Sequence, residues 1–217
     1  MTEELGKIEK PDAERFKGER KLYVVPLLFT GKDSPQEYTE RFELYWQQVS
    51  EQITNQEQKI GEVRHVYHES IGFGGEDGLK IMEKLSPPSY KITKEKCDAG
   101  AIMEAVELAE LANECLDWER CLMLGFVSQQ AAEKVSELYR EASKKRYEYI
   151  ARQIDETLGE DEVAILFIRE GHPVQFPRDI EVFSVSPPAL DNIHRWLRDR
   201  SSQQETSEET EDKTEPE

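Results

Sequence analysis

Residues 159–200 read GEDEVAILFIREGHPVQFPRDIEVFSVSPPALDNIHRWLRDR, and this stretch decides the fold class. Two apolar runs, 163–168 and 180–185, flank a turn at Gly171-His172-Pro173, and each has the length of a buried strand. The pair Pro187-Pro188 then favours the start of a helix. That helix carries apolar side chains at helical spacing, with Trp196 as the expected buried anchor: Leu190, Ile193, Trp196 and Leu197. The stretch predicts two strands that lead into a terminal helix.

Upstream segments predict two more strands and a first helix. Residues 21–30 (KLYVVPLLFT) are apolar on both faces, as in a central strand, although Pro26 points to an edge position, a bulge or a break. Ser34-Pro35-Gln36-Glu37 predicts a helix start, with Ser34 as its N-cap. Residues 62–70 alternate and predict a strand. One face of that strand should carry His65, Tyr67 and Glu69, and the other Arg64, Val66 and His68.

The longest helical region is predicted at about residues 99–158. Its first helix should start at Asp98 or Gly100, and its second should run from Ser128 to Leu158. The break between them predicts an antiparallel helical hairpin. We interpret a row of carboxylates on the first helix as a solvated face: Glu104, Glu107, Glu110 and Glu114.

These elements predict an α/β fold with one domain over residues 21–200. It should contain a small mixed or partly parallel sheet of about four strands, with packed helices and the hairpin inserted between the second and third strands. Residues 1–20 should form a flexible N-terminal arm. Residues 201–217 lack apolar side chains and should form a disordered acidic tail.

The charge of the chain bears on its partners. It has 46 Asp and Glu against 28 Lys and Arg, a formal net charge of -18, which disfavours binding to nucleic acid or anionic lipid. The densest basic stretch, Lys144 to Arg146, is interleaved with carboxylates, and we interpret it as a solvated helix face. No apolar run reaches the roughly 20 residues that a membrane-spanning helix needs, and the acidic start does not look like a secretion signal. We therefore expect a cytosolic protein that makes no membrane contact.

The sequence contains no recognisable motif for catalysis, metal binding or cofactor binding. Cys97, Cys115 and Cys121 are widely spaced and odd in number, which fits neither a disulfide framework nor a zinc site. Cys115 continues the apolar face of a predicted helix, so we interpret it as a small buried hydrophobe. We predict no catalytic residue, no metal and no cofactor.

The glycine-rich loop at residues 72–78 (GFGGEDG) is the main candidate for a ligand site. It joins a strand to a helix, and a helix start attracts anions through its free N–H groups and its macrodipole. However, Glu76 and Asp77 already place negative charge there, and no lysine follows as in a P-loop, so a plain turn is the alternative. Ligands in open α/β sheets bind beyond the carboxyl ends of the strands. The candidate ligand-binding residues are Gly72, Gly74, Gly75, His68, Glu69 and His172.

Three functions are compatible with these features. The leading hypothesis is a non-enzymatic interaction or adaptor protein, because a long helical hairpin is combined with no catalytic constellation. Its partner would be another protein or a second copy of the chain. The first alternative is an α/β ligand-binding or hydrolytic module that uses the loop at 72–78 with His68 and His172. The second is an RNA- or translation-associated factor that docks through residues 144–152.

Overall fold

The computed structural model describes residues 18–211 and shows an α/β fold built on one sheet. The strands are β1 (Arg20–Pro26), β2 (Val63–His68), β3 (Ile102–Met103), β4 (Val163–Ile168) and β5 (Ile180–Ser184). The helices are α1 (Gln36–Ile60), α2 (Gly75–Leu85), α3 (Pro87–Asp98), α4 (Ala109–Met123), α5 (Gln129–Thr157) and α6 (Pro188–Glu211). The strand order is β3-β2-β4-β1-β5, and all neighbouring strands are parallel.

Helices cover both faces of the sheet, which explains its continuous apolar runs. Tyr23 and Val25 of β1 join a core that includes side chains of α1, α3 and α6. Leu22 and Val24 join a second core, which includes side chains of α5. Every residue of β1 and of β4 is buried. Strands that are buried on both faces lose the alternation that marks a half-exposed strand.

The sheet agrees with the predicted α/β class and gives its strand number and direction. It has five strands where about four were predicted, and all pairs are parallel in the described residues where a mixed or partly parallel sheet was predicted. The missed strand is β3, whose two residues are too few to give a periodic pattern. Pro26 is the last residue of β1, an interior strand, and the ladder continues past it because the Leu27 N–H donates to the Ile168 carbonyl at 2.9 Å.

The helix predicted to start at Asp98 or Gly100 starts later. Gly100 has a φ of 107°, a left-handed conformation that suits glycine, and the chain turns there from α3 into β3. Helix α4 begins only at Ala109. Pro87 and Pro88 begin α3, because proline fits the first turn of a helix. This helix was not predicted from the sequence.

Two smaller predictions at helix ends are also wrong. Ser34 does not cap α1: its Oγ accepts a hydrogen bond from the Gly31 N–H at 2.9 Å, and Pro35 occupies the cap position. In α6, Trp196 is only half-buried, and its ring centroid lies 5.7 Å from that of Tyr38. Ile193, one turn earlier, is fully buried, so this core ends before Trp196.

Helices α4 and α5 follow each other through residues 124–128 and pack together. Most of the predicted N-terminal arm lies outside the described residues, although Arg20 already belongs to β1. Helix α6 runs to Glu211 and so includes residues 201–211 of the predicted acidic tail. This segment lacks Gly and Pro and is rich in Gln and Glu, which favour helix. Residues 212–217 lie outside the described part of the chain.

Candidate functional site

Two charged residues meet at the carboxyl edge of the sheet. Glu69 directly follows β2, and Arg169 directly follows β4, the parallel neighbour of β2. The Arg169 Nε atom lies 2.9 Å from Glu69 Oε1, and the Arg169 backbone N–H donates to Glu69 Oε2 at 2.7 Å. Glu69 is only 2% exposed, so this predicted candidate anchors a buried polar cluster.

Arg146 of α5 completes the cluster. Its Nε atom lies 3.0 Å from both carboxylate oxygens of Glu107, which precedes α4, and its Nη2 atom also bonds Glu107. The same Nη2 atom lies 3.0 Å from Glu69 Oε1. Glu107 also accepts the Ser70 N–H at 3.1 Å. We call Glu69, Glu107, Arg146 and Arg169 the edge clamp, because they join β2, β4, α5 and the segment before α4.

The electrostatics of the edge clamp keep its arginines charged. Burial lowers the pKa of Arg146, but hydrogen bonding to Glu107 and the charges of Glu107 and Glu69 outweigh burial and raise it overall. Burial also lowers the pKa of Arg169, but the charge of Glu69 outweighs burial, so the pKa of Arg169 is raised overall. The pKa of Tyr147 is raised by burial and by Glu69, so its hydroxyl stays neutral and donates to Glu69 Oε1 at 3.3 Å.

The charged groups of the edge clamp neutralise one another and fill one another's hydrogen-bonding positions. Two arginines face two buried glutamates, and Glu119 at the rim lies 3.3 Å from the Arg169 Nη1 atom. A carboxylate that already accepts several hydrogen bonds from cations is a poor general base, because its lone pairs are occupied. The edge clamp is therefore built to hold elements together, and breaking one member would leave a buried charge unpaired.

A cleft of about 450 Å³ lies beside the edge clamp. Its walls include the predicted Gly72 together with Phe73, Leu108 and Leu116. Glu107, Arg146 and Arg169 of the edge clamp also line the cleft, so Gly72 lies close to the edge clamp.

The glycines of the 72–78 loop are required by close packing. A Cβ atom on Gly72 would lie 2.6 Å from the Glu107 carbonyl oxygen, and one on Gly74 would lie 3.0 Å from that of Met103. A Cβ on Gly78 would lie 2.2 Å from the carbonyl oxygen of Phe73. Gly75 has open space but a φ of 58°. The loop therefore packs on the segment between β3 and α4, and this packing accounts for its glycines without a bound phosphate.

The two predicted histidines make no hydrogen bond with the charged side chains of the edge clamp in the described residues. His68 is fully buried on the opposite face of the sheet, near the Phe167 ring; its Nδ1 atom donates to the Glu69 carbonyl, and its Nε2 atom has no partner. Burial lowers the pKa of His68 to about 4. His172 follows β4, packs on the Phe176 ring and has a pKa lowered by burial. Among the described residues, no hydrogen bond or ring contact joins either histidine to the glycine loop.

Two charged stretches behave differently from their predicted solvated faces. Lys144 and Lys145 are exposed as expected, but Arg146 is 3% exposed. In the carboxylate row, Glu107 is buried, and Glu104 lies 2.9 Å from the His65 Nδ1 atom. The sequence did contain one indication that Arg146 is buried: it lies on the same helical stripe as the apolar residues Ala142 and Ile150. Glu107 had no such local signal.

The sequence also failed to reveal a second candidate site, on α4 and α5. No residue from 116 to 141 is buried, and we call this segment the arm. Residues 122–127, the tip, comprise the end of α4 and most of the loop to α5, and they are apolar except for Gly125. The side chains of the tip are exposed to solvent: Met123 by 74%, Leu124 by 86%, Phe126 by 39% and Val127 by 109%. The run CLMLGFV at a helix break was the available signal.

Comparison of the chain with protein-family models, with curated proteins and with solved structures finds no match. Within residues 18–211, no helix combines the length and apolar character needed to cross a membrane. In the same part of the chain, no group of three or more His, Cys, Asp or Glu side chains could hold a metal ion. The edge clamp, the cavities and the arm are therefore the features that bear on function.

Proposed function

We propose that the protein is a cytosolic, non-enzymatic interaction protein that binds a partner protein through the tip of the arm. The observation that carries this proposal is the solvent exposure of the tip, in particular Leu124 at 86% and Val127 at 109%. A run of consecutive exposed apolar residues carries an aggregation cost and is usually retained where it binds something.

The arm is suited to present the tip. We infer that α4 and α5 run antiparallel, since Arg146 late in α5 bonds Glu107 just before α4. The sides of the arm carry exposed local pairs, such as Lys134 with Glu137 at 2.7 Å, which keep the helices solvated. Residues 121–132 contain no charged side chain. The arm therefore places an uncharged apolar end beyond a polar stem.

Charge defines the chemistry of the partner. The chain carries a net charge of -18, and the arm itself has five acidic and three basic residues. A partner with an apolar pocket and a basic rim would accept the tip and attract the stem. A second copy would bring the same acidic stem, and tip-to-tip contact would bury far less than the roughly 800 Å² per partner of a typical stable interface.

Site-specific photo-crosslinking tests this proposal. A photoreactive amino acid replaces Leu124 in one variant and Leu197 in the other; Leu197 is 44% exposed and lies on α6, outside the arm. We expect an adduct with another protein from position 124 and none from position 197. The adduct partner is then purified and titrated with the wild-type chain.

Substitutions in the tip give the quantitative test. Leu124→Ser combined with Val127→Ser should weaken partner binding by at least about tenfold, as for an apolar hot spot. Leu197→Ser should change it by less than about twofold, and thermal melting should stay the same in all three proteins. Equal weakening by Leu197→Ser, an adduct only with a second copy, or binding to neutral lipid vesicles through the tip would overturn the proposal.

A further inference from the structure

A cavity of about 440 Å³ lies between α5 and the segment that follows β4. Pro173 and Gln175 form one wall, and the side chains of α5 form the other. Because β4 is an interior strand, this segment leaves the carboxyl edge of the sheet, where ligands bind in open α/β folds. The volume is in the range of small-molecule sites, about 300–1,000 Å³. We call it the α5 cavity.

Two cations, Arg140 and Lys144, and one carboxylate, Glu148, line the α5 cavity, which leaves an excess of positive charge in its lining. Arg140 bonds only the Ser136 carbonyl, at 3.2 Å, and forms no ion pair with the described residues. Lys144, four residues later on the same face of α5, reaches Glu148 only at 3.8 Å. By contrast, Arg146 is enclosed by two glutamates. Weakly paired cations that line one cavity of a strongly acidic chain are a specific feature that favours an anionic ligand.

Aromatic and hydroxyl groups line the same cavity. Tyr147 lines the cavity but is only 4% exposed, and it is fixed by its hydrogen bond to Glu69 and by the Arg146 guanidinium, 5.4 Å from its ring centroid. Tyr139 also lines the cavity, and within the described residues its hydroxyl forms no hydrogen bond. The same holds for the Ser143 hydroxyl, which lies between the two cations in sequence. Rings of this kind pack against nucleobases, and free hydroxyls donate to phosphate.

We propose that the α5 cavity binds a mononucleotide, with its phosphate at Arg140 and Lys144 and its base against the partly exposed ring of Tyr139. The ligand is either a free mononucleotide or the terminal nucleotide of an RNA, which present the same chemistry. This site contains no residue of the tip, so nucleotide binding can be tested independently of the proposed partner binding.

Calorimetric titration with AMP, adenosine and inorganic phosphate tests the site at about 0.15 M salt, where long-range repulsion by the acidic chain is screened. We expect AMP to bind at least about tenfold more tightly than adenosine or phosphate, because it engages both halves of the cavity. A short oligoadenylate distinguishes the two sources. If it binds more tightly than AMP, the ligand is an RNA end; equal or weaker binding assigns a free nucleotide.

Matched variants locate the binding. Arg140→Gln with Lys144→Gln should weaken AMP by at least about tenfold through the loss of two charge-assisted contacts. Lys145→Gln removes an exposed charge that does not line the cavity and should change affinity by less than about twofold. Leu124→Ser at the tip should have no effect. No AMP binding up to about 10 mM, weaker than most specific ligand binding, or equal loss with Lys145→Gln, would overturn the proposal.

Discussion

Arg146 is the residue on which the attachment of α5 to the sheet edge depends most. It is 3% exposed and joins Glu107 to Glu69. Arg146→Ala would leave the buried Glu107 without a cation and remove one of the two arginines that pair with Glu69, so we expect a loss of about 3–5 kcal/mol in the free energy of unfolding. Urea denaturation followed by circular dichroism measures this loss.

Arg152→Ala is the matched control for Arg146, because Arg152 lies on the same helix, is mostly exposed and reaches Glu156 only at 3.9 Å. Such a surface pair is worth about 0–1 kcal/mol. Similar losses for the two variants would show that the edge clamp does not hold α5 as we describe.

His68 gives a pH-dependent prediction. Its pKa falls from 6.5 to about 4 on burial, so between these values the unfolded chain binds a proton that the folded chain rejects. Stability should therefore fall as the pH decreases through this window, by up to about 3 kcal/mol from this residue. Urea denaturation at pH 7.5 and pH 4.5, on the wild type and His68→Gln, measures the difference. All other groups titrate in both proteins. An equal change in the free energy of unfolding between pH 7.5 and pH 4.5 for the wild type and His68→Gln would therefore contradict the prediction.

At the scale of elements, the glycine loop can be tested as a packing feature. Gly78→Ala places a Cβ atom 2.2 Å from the Phe73 carbonyl oxygen, so α2 must shift from the preceding loop. We expect a loss of about 1–3 kcal/mol, as for other overpacked sites. Gly31→Ala is the control, because its nearest heavy atom would be the Ser34 Oγ at 3.9 Å. Thermal denaturation compares the two, and an unchanged melting temperature for Gly78→Ala would contradict the packing explanation.

The elements that could be predicted from the sequence are those with a strong local pattern. Strand β4 and helix α1 stood out because a fully buried strand is continuously apolar and a long amphipathic helix repeats its apolar positions. Strand β3 was missed because it has two residues, and α3 because the pair Pro87-Pro88 can either end a helix or form its first turn. Of the candidate site, Glu69 could be placed at a strand end. Arg146 could not be paired with Glu107, because residues 39 positions apart meet only through tertiary structure.

At the scale of the whole molecule, the chain divides into a packed body and an exposed arm. The body contains both hydrophobic cores and the edge clamp, whereas no residue from 116 to 141 is buried. A segment that buries little contributes little to the stability of the rest, so its retention needs a functional reason. Recognition through the arm and ligand binding at its base would place two functions on separate surfaces.

The arm should therefore be removable without unfolding the body. Replacing residues 120–135 with a short Gly-Ser linker keeps Glu119, the edge clamp and the Ser136 carbonyl that Arg140 bonds, and removes no buried side chain. We expect the free energy of unfolding to fall by less than about 2 kcal/mol, since large losses require a cavity or an unpaired buried group. Urea denaturation followed by circular dichroism measures this change, and truncation after Arg200 is the control, because residues 201–217 contain no apolar side chain. The shortened protein should still bind AMP, because the α5 cavity is intact, but should no longer bind the partner captured through Leu124. A loss of more than about 4 kcal/mol, comparable to the deletion of a core side chain, would show instead that the arm belongs to the folding core.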